Sequence, residues 1–333
     1  MCNLFKNIFK KRKSTYVESH EKNEVAKENA TELKKEDEDY NSVTGRCTAA
    51  LGMLIDEKYQ ECYDIYAKSK YGLRPKDESI LSTVCLSLGK YSECIELCNK
   101  LISYDSDIWN TDKILENNYI SIAKKSLAFE DRISNIINNV PNTKYKNIED
   151  IVDEESIEEI FNNGYNANIS DIRQIKKVCS TSSNSEAESR YRDFAERLFT
   201  VQNYNLAAEA YLYAFEKNPQ NDIYLGYCAQ ALYRKGVADL LSGDKNVFII
   251  INSMIAAKYA IQINPNDVLW RILYINSLIL VSKVSSIKLI RKAISEYNIA
   301  KKLDNPIVDN VVALNRVKKV LEMLAESNGY SMN

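Results

Sequence analysis

The feature that most narrows what this chain can become is a set of small side chains recurring in matching places among large ones. In "NYNLAAEAYLYAFEKNP", residues 203–219, Ala207, Ala208, Ala210 and Ala214 alternate with Tyr204, Leu206, Tyr211, Tyr213 and Phe215. Apolar residues at spacings of three and four mark a helix. Two helices approach to about 8 to 10 Å only where the facing side chains are small, and the aromatics of the next element fill the space beside them. Pro219 cannot continue the helix, so it marks where one unit ends.

The pattern repeats. Tyr191, Phe194, Ala195 and Leu198 precede Tyr204, Ala207, Tyr211, Ala214 and Pro219 in the clearest copy. A second copy runs through Leu225, Cys228, Ala229 and Leu232 and, after an insertion around "LLSGDKN", Ser253, Ala257, Ala260 and Pro265. A third begins with Trp270, Leu273, Tyr274 and Ser277 and ends at Pro306, with a one-residue offset near Ala300. Weaker copies stand earlier: Tyr91, Cys94, Cys98 and Leu101 in one, and Tyr59, Cys62, Tyr66 and Ser69 in another, 32 residues apart. Fixed-period self-similarity of this kind is the signature of stacked repeats, each touching only its neighbours.

These residues resemble the tetratricopeptide repeat, a pair of antiparallel helices of 34 residues with the pattern W-x2-L-G-x2-Y, then A-x3-F-x2-A, then P. The resemblance is clearest over residues 188–306 and weaker over 42–107. It implies an all-α fold, a tetratricopeptide-type α-solenoid of stacked antiparallel helix hairpins. A helix pair from Thr111 to Val140 would extend the N-terminal stack, and "VDNVVALNRVKKVLEMLAES" has the character of a capping helix. The alternative for the same apolar spacing is an unrelated helical bundle.

Composition agrees with helices. Nine glycines and five prolines in 333 residues are too few for a many-turned β fold. The expected organisation is residues 1–41 as a basic then acidic N-terminal segment, 42–179 as a helical region with an irregular middle part, 180–187 as a linker, and 188–333 as the C-terminal repeat domain with its cap. Residues 14–40 carry nine acids against four bases and read as a solvated, disordered linker. The linker at 180–187 rests on the polar stretch "STSSNSEAES".

Chemistry is sparse. His20, the one histidine, falls in the acidic linker, which leaves the helical body without the commonest general base or metal ligand. No P-loop and no G-x-G-x-x-G motif occurs. The eight cysteines form no CxxC pair, and Cys94 and Cys98 read as small core residues. The carboxylates Asp153, Glu154, Glu155, Glu158 and Glu159 read as a solvated helix face. Neither a cofactor nor an enzymatic activity is expected. A net charge of -2 gives no general attraction to nucleic acid.

The first helix of each tetratricopeptide hairpin lines the binding groove, which the resemblance maps onto Arg192, Glu196 and Phe199, then Gln230, Tyr233 and Arg234, then Arg271, Ile275 and Leu278. Three arginines with a tyrosine suit an acidic or carboxylate-bearing peptide; solvated surface arginines are the plain alternative. The clamp that grips chaperone tails in some members is not visible, because Glu196 stands where it calls for asparagine. At the N-terminus, Leu4, Phe5, Ile8 and Phe9 would share one helix face flanked by Lys6, Lys10, Lys11, Arg12 and Lys13, the pattern of a helix on an anionic membrane surface, with Cys2 as an acylation candidate. The absence of ordered signal-peptide regions and the cysteine usage point to a cytoplasmic protein, peripheral to a membrane if that helix binds one. The expected role is an interaction scaffold with a protein or peptide partner. Two other readings stay open: a ligand-responsive regulator whose two helical lobes hinge in Thr111–Cys179, and an enzyme with an unrecognised site.

Overall fold

The computed structural model describes residues 43–67, 73–104, 112–138, 172–173, 175–177, 182–244, 246–285, 287–303 and 307–332. The expected membrane helix, the acidic linker, His20 and the carboxylates of 153–159 lie outside the described residues. Every regular element among those described is an α-helix. The chain parts into two compact units between Ala123 and Lys124.

The first unit holds α1 (Val43–Ile55), α2 (Tyr59–Ala67), α3 (Pro75–Leu88), α4 (Tyr91–Ser103) and the start of α5 (Lys113–Asn138). The second holds the remainder of α5, then α6 (Asn184–Thr200), α7 (Tyr204–Lys217), α8 (Asp222–Ser242), α9 (Val247–Ile263), α10 (Val268–Val284), α11 (Ile290–Ala300) and α12 (Val308–Asn328). Within each unit, helices adjacent in the chain pack against each other, from α1 to α4 and again from α6 to α12. This is the all-α stack of helix hairpins expected from the repeat.

The small-residue places are where the hairpins close. Nine residues before Tyr59, Tyr91 and Tyr204 stand Ala50, Ser82 and Ala195; three residues after the same tyrosines stand Cys62, Cys94 and Ala207. All six side chains are fully buried. Cys62 Sγ donates to Ala50 O at 3.4 Å, and Ser253 Oγ makes the same contact with Ala229 O at 2.8 Å in the second unit. A larger residue at either partner would hold the two backbones apart.

The turn between the helices recurs as well. Glu57, Gly89 and Gln202, each two residues before the tyrosine, have φ of 56°, 78° and 63°. The following amide closes the preceding helix: Lys58 N bonds Met53 O at 2.8 Å, Lys90 N bonds Cys85 O at 2.8 Å, and Asn203 N bonds Leu198 O at 2.9 Å. These are Schellman closures, which require one left-handed residue. Only one of the three is the glycine that tolerates it without cost.

Hairpins are joined by a polar clasp. Asn218, just before Pro219, donates Nδ2 to Glu188 Oε1 at 3.1 Å, and Tyr224 of the next hairpin donates its hydroxyl to the same oxygen at 2.6 Å. One repeat on, Asn264 precedes Pro265 and donates to Asp222 Oδ2 at 3.4 Å, which also accepts Trp270 Nε1–H at 2.8 Å. The indole lies so close to Gly226 that a Cβ there would sit 2.3 Å from the ring.

Two expectations change. The helix pair expected over Thr111–Val140 is one uninterrupted helix, α5, because no glycine, proline or left-handed turn breaks Lys113–Asn138. The polar stretch expected to be a linker at 180–187 enters α6 at Asn184: Ser183 Oγ accepts Glu186 N–H at 3.3 Å and Ala187 is buried. The insertion read around "LLSGDKN" is a longer α8: the helix passes Gly236, the counterpart of Gln202, and closes at Gly243, whose φ is 92°.

Candidate partner-binding face

The first helices of the second unit, α6, α8 and α10, carry the nine groove residues expected from the sequence. On α6, Arg192 is turned onto its own helix: Nε and Nη2 donate to Asp193 Oδ1 at 3.0 and 2.8 Å, Nη2 reaches Ser189 Oγ at 3.3 Å, and Glu196 lies 3.9 Å away. Hydrogen bonding to Asp193 raises the Arg192 pKa further, so the guanidinium is always charged. Glu196 is exposed, and Phe199 packs its edge on Tyr204 with ring centroids 5.3 Å apart.

On α8, Gln230 and Tyr233 are half-buried and Arg234 is exposed. Burial raises the Tyr233 hydroxyl pKa, with Arg234 beside it acting in the opposite sense. Arg234 makes no ion pair among the described residues, so its guanidinium keeps its donors for another molecule.

On α10 the expectation fails. Ile275 and Leu278 are 0% and 1% exposed, and Arg271 is 8% exposed. Arg271 Nη1 donates to Glu296 Oε2 at 2.7 Å and Nη2 to Pro265 O at 2.9 Å, while Lys292 adds a second cation to Glu296 at 3.1 Å. The physical reason is enclosure: α10 packs against α8, α9, α11 and α12, so the side that would line a groove is interior. Arg271 ties α10 to α11 and has no open face.

Tyr227 belongs to this face and was not anticipated. It is half-buried, with Tyr211 at 5.4 Å and Trp270 at 5.6 Å between ring centroids. Its spacing gives it away in retrospect, since Tyr227, Gln230 and Arg234 stand at i, i+3 and i+7 on one side of α8. Also unanticipated is the covering of the second helices by the chain itself. From α5, Arg132 Nη1 donates to Glu209 Oε2 at 2.7 Å, Ser134 Oγ meets Tyr259 OH at 2.9 Å, and Lys125 lies 3.9 Å from the Phe248 ring centroid. Lys176, between buried Ile172 and Ile175 and the start of α6 in the chain, stands 4.6 Å from the Tyr213 ring centroid.

Cys62, Cys85, Cys94, Cys98 and Cys228 are buried and form no disulfide. Burial pushes the Cys85 thiol up to about 12 and raises Cys228 as well, so these thiols stay protonated and serve packing. Among the described residues no group of three His, Cys, Asp or Glu could hold a metal ion, and no helix is long and apolar enough to cross a membrane.

No family model matches the sequence, and no curated protein matches it. Solved structures do. The complex titled TPR2AB-domain:pHSP90 of yeast Sti1 aligns over 84% of this chain and 98% of its own, at 14% identity and a TM-score of 0.34. Yeast Tom70 aligns over 87% of this chain and 98% of its own, at 12% identity and a TM-score of 0.26.

Proposed function

We propose that this protein is an interaction scaffold that holds an acidic or carboxylate-bearing peptide of a partner protein against α6 and α8. The observation that carries this reading is Arg234: an exposed guanidinium with no ion pair among the described residues, on the same side of α8 as Tyr227 and Gln230 and next to Tyr233. A guanidinium presents a planar fork that bonds a carboxylate with two parallel N–H donors, and a half-buried tyrosine supplies rigid contact area beside it. Glu196 and Phe199 on α6 complete the face, with Glu196 rejecting peptides acidic throughout and selecting those with a neutral or basic residue next to the carboxylate. Arg192 contributes less, because Asp193 already satisfies it.

The test is a peptide array holding equal numbers of acidic, neutral and basic sequences, followed by titration of the best binders against Arg234→Glu and Arg192→Glu. Charge reversal at 234 should weaken acidic binders at least tenfold, about 1.4 kcal/mol, and reversal at 192 should weaken them less. Acidic binders unaffected by Arg234→Glu would end the proposal.

Residues Cys2 to Lys13 are further proposed to hold the protein at an anionic, cytoplasm-facing membrane surface, on the strength of their sequence pattern alone. Flotation with phosphatidylserine-containing vesicles should carry the full chain and leave behind a chain lacking 2–13; a full chain that stays unbound would refute the tether.

A further inference from the structure

Glu116 buries a carboxyl at a place in the first unit that the repeat gives to small residues. Ser82 and Glu116 are 34 residues apart, one repeat length, so Glu116 stands where the hairpins otherwise place a small residue. It is 1% exposed, in the first turn of α5. Its carboxyl meets α3 and α4 through neutral groups alone. Ser79 Oγ donates to Oε1 at 3.2 Å, Cys98 Sγ donates to Oε2 at 2.9 Å, and Ser82 Oγ lies 3.4 Å from Oε2.

Ser82 Oγ reaches two acceptors, Ser79 O at 2.9 Å and Glu116 Oε2 at 3.4 Å, with one hydrogen to give. With that hydrogen on Ser79 O, the nearer of the two, its lone pair faces Glu116 and can accept from a carboxylic acid. Among the described residues no cation pairs with Glu116. Asp77 and Glu78 on α3 are taken up by Arg74 and Lys100, the facing thiol is Cys98 with Cys94 beyond it, and the acidic Asp112 just ahead of α5 adds repulsion. Lys113, one turn back, is exposed and makes no ion pair with Glu116.

We propose that Glu116 is a proton-operated latch: as a neutral acid it donates to Ser82 Oγ and holds the first turns of α5 against α3 and α4, and loss of that proton to water loosens them. The electrostatics agree in sign. Burial raises the Glu116 pKa, partly opposed by hydrogen bonds from Cys98, Ser79 and Ser82. A folded-state pKa above the unfolded one gives stability that is complete below the ordinary glutamate value and is lost as pH rises through the raised one. The docking of α5 is thus tighter in acid, the reverse of what a salt-bridged carboxylate would produce.

Hydrogen–deuterium exchange on the full chain, corrected for the intrinsic pH dependence of exchange, reads the latch directly. Opening of amides 113–120 should grow by up to tenfold per pH unit from about 4.3, the ordinary glutamate value, to the raised one and then level off. Amides of α9 serve as the internal reference. Glu116→Gln should abolish the slope, and Ser82→Ala should weaken it, because the acid loses its acceptor. An infrared band of a protonated carboxyl should persist in the wild type at a pH where an ordinary glutamate has lost its proton and be missing from Glu116→Gln, a readout independent of how well the glutamine packs. A slope retained in Glu116→Gln, a steeper slope in Ser82→Ala, or no protonated band in the wild type at that pH would each overturn the latch.

Discussion

Gln202 and Gly89 do the same work with different chemistry. Both hold the left-handed turn two residues before the hairpin tyrosine, at φ of 63° and 78°. A side chain in that conformation costs roughly 1 to 2 kcal/mol, a cost the exposed Gln202 bears with no compensating burial. Gln202→Gly should therefore raise stability by roughly 1 kcal/mol after the extra freedom glycine gains in the unfolded chain is deducted. Gly89→Ala should lower it by a similar amount. Urea denaturation midpoints of the two variants should move in opposite directions, and a shared direction would show that the turn is not a common element. This turn was hidden in the sequence, because Glu57 and Gln202 give none of the signal that a glycine would. The small-residue places were legible for the opposite reason: Ala195, Ala207, Cys62 and Cys94 are constrained by a backbone approach that admits few residue types.

At the scale of elements, periodicity found the hairpins and missed how they are joined. α5 was read as a helix pair extending the repeat stack, yet it contains no residue that stops a helix. Its buried residues Glu116, Tyr119, Ala123, Ser126 and Ile133 advance by three, four, three and seven, which keeps them on one side of a single helix. Of the residues proposed for the groove, Tyr233 is half-buried and Arg234 exposed on α8, whereas Arg271 was indistinguishable in sequence from an open-face arginine. Its partner Glu296 lies 25 residues on in a different helix, and no local pattern encodes such a pairing. The clasps were legible only as the asparagine–proline pairs at 218–219 and 264–265; that each asparagine reaches back to an acid at the start of its own repeat is a tertiary fact.

For the molecule as a whole, the compact division between Ala123 and Lys124 changes which piece can be studied alone. A fragment starting at 188 omits the Ser183 cap of α6 and the α5 side chains that cover Glu209, Tyr213, Phe248 and Tyr259. A lost helix cap alone costs about 1 kcal/mol, and in a fragment of this size 1 kcal/mol shifts the melting temperature by about 2 to 4 °C. Calorimetry should find that 124–333 melts at least about 3 °C above 188–333; equal melting temperatures would mean that α5 adds nothing to the second unit.

The continuation of α8 past Gly236 sets a rule for how this chain can grow. From Gly236 to its successor Gly243 is seven residues, and at 3.6 residues per turn that advance comes within about 20° of two whole revolutions. The added length of about 10 Å thus leaves the azimuth of the helix nearly unchanged, and Ile250 of α9 still packs so close to Gly236 that a Cβ there would sit 2.6 Å from it. Added lengths that are not near-multiples of a full revolution would swing the returning helix off its seat, so variation in this hairpin is quantised.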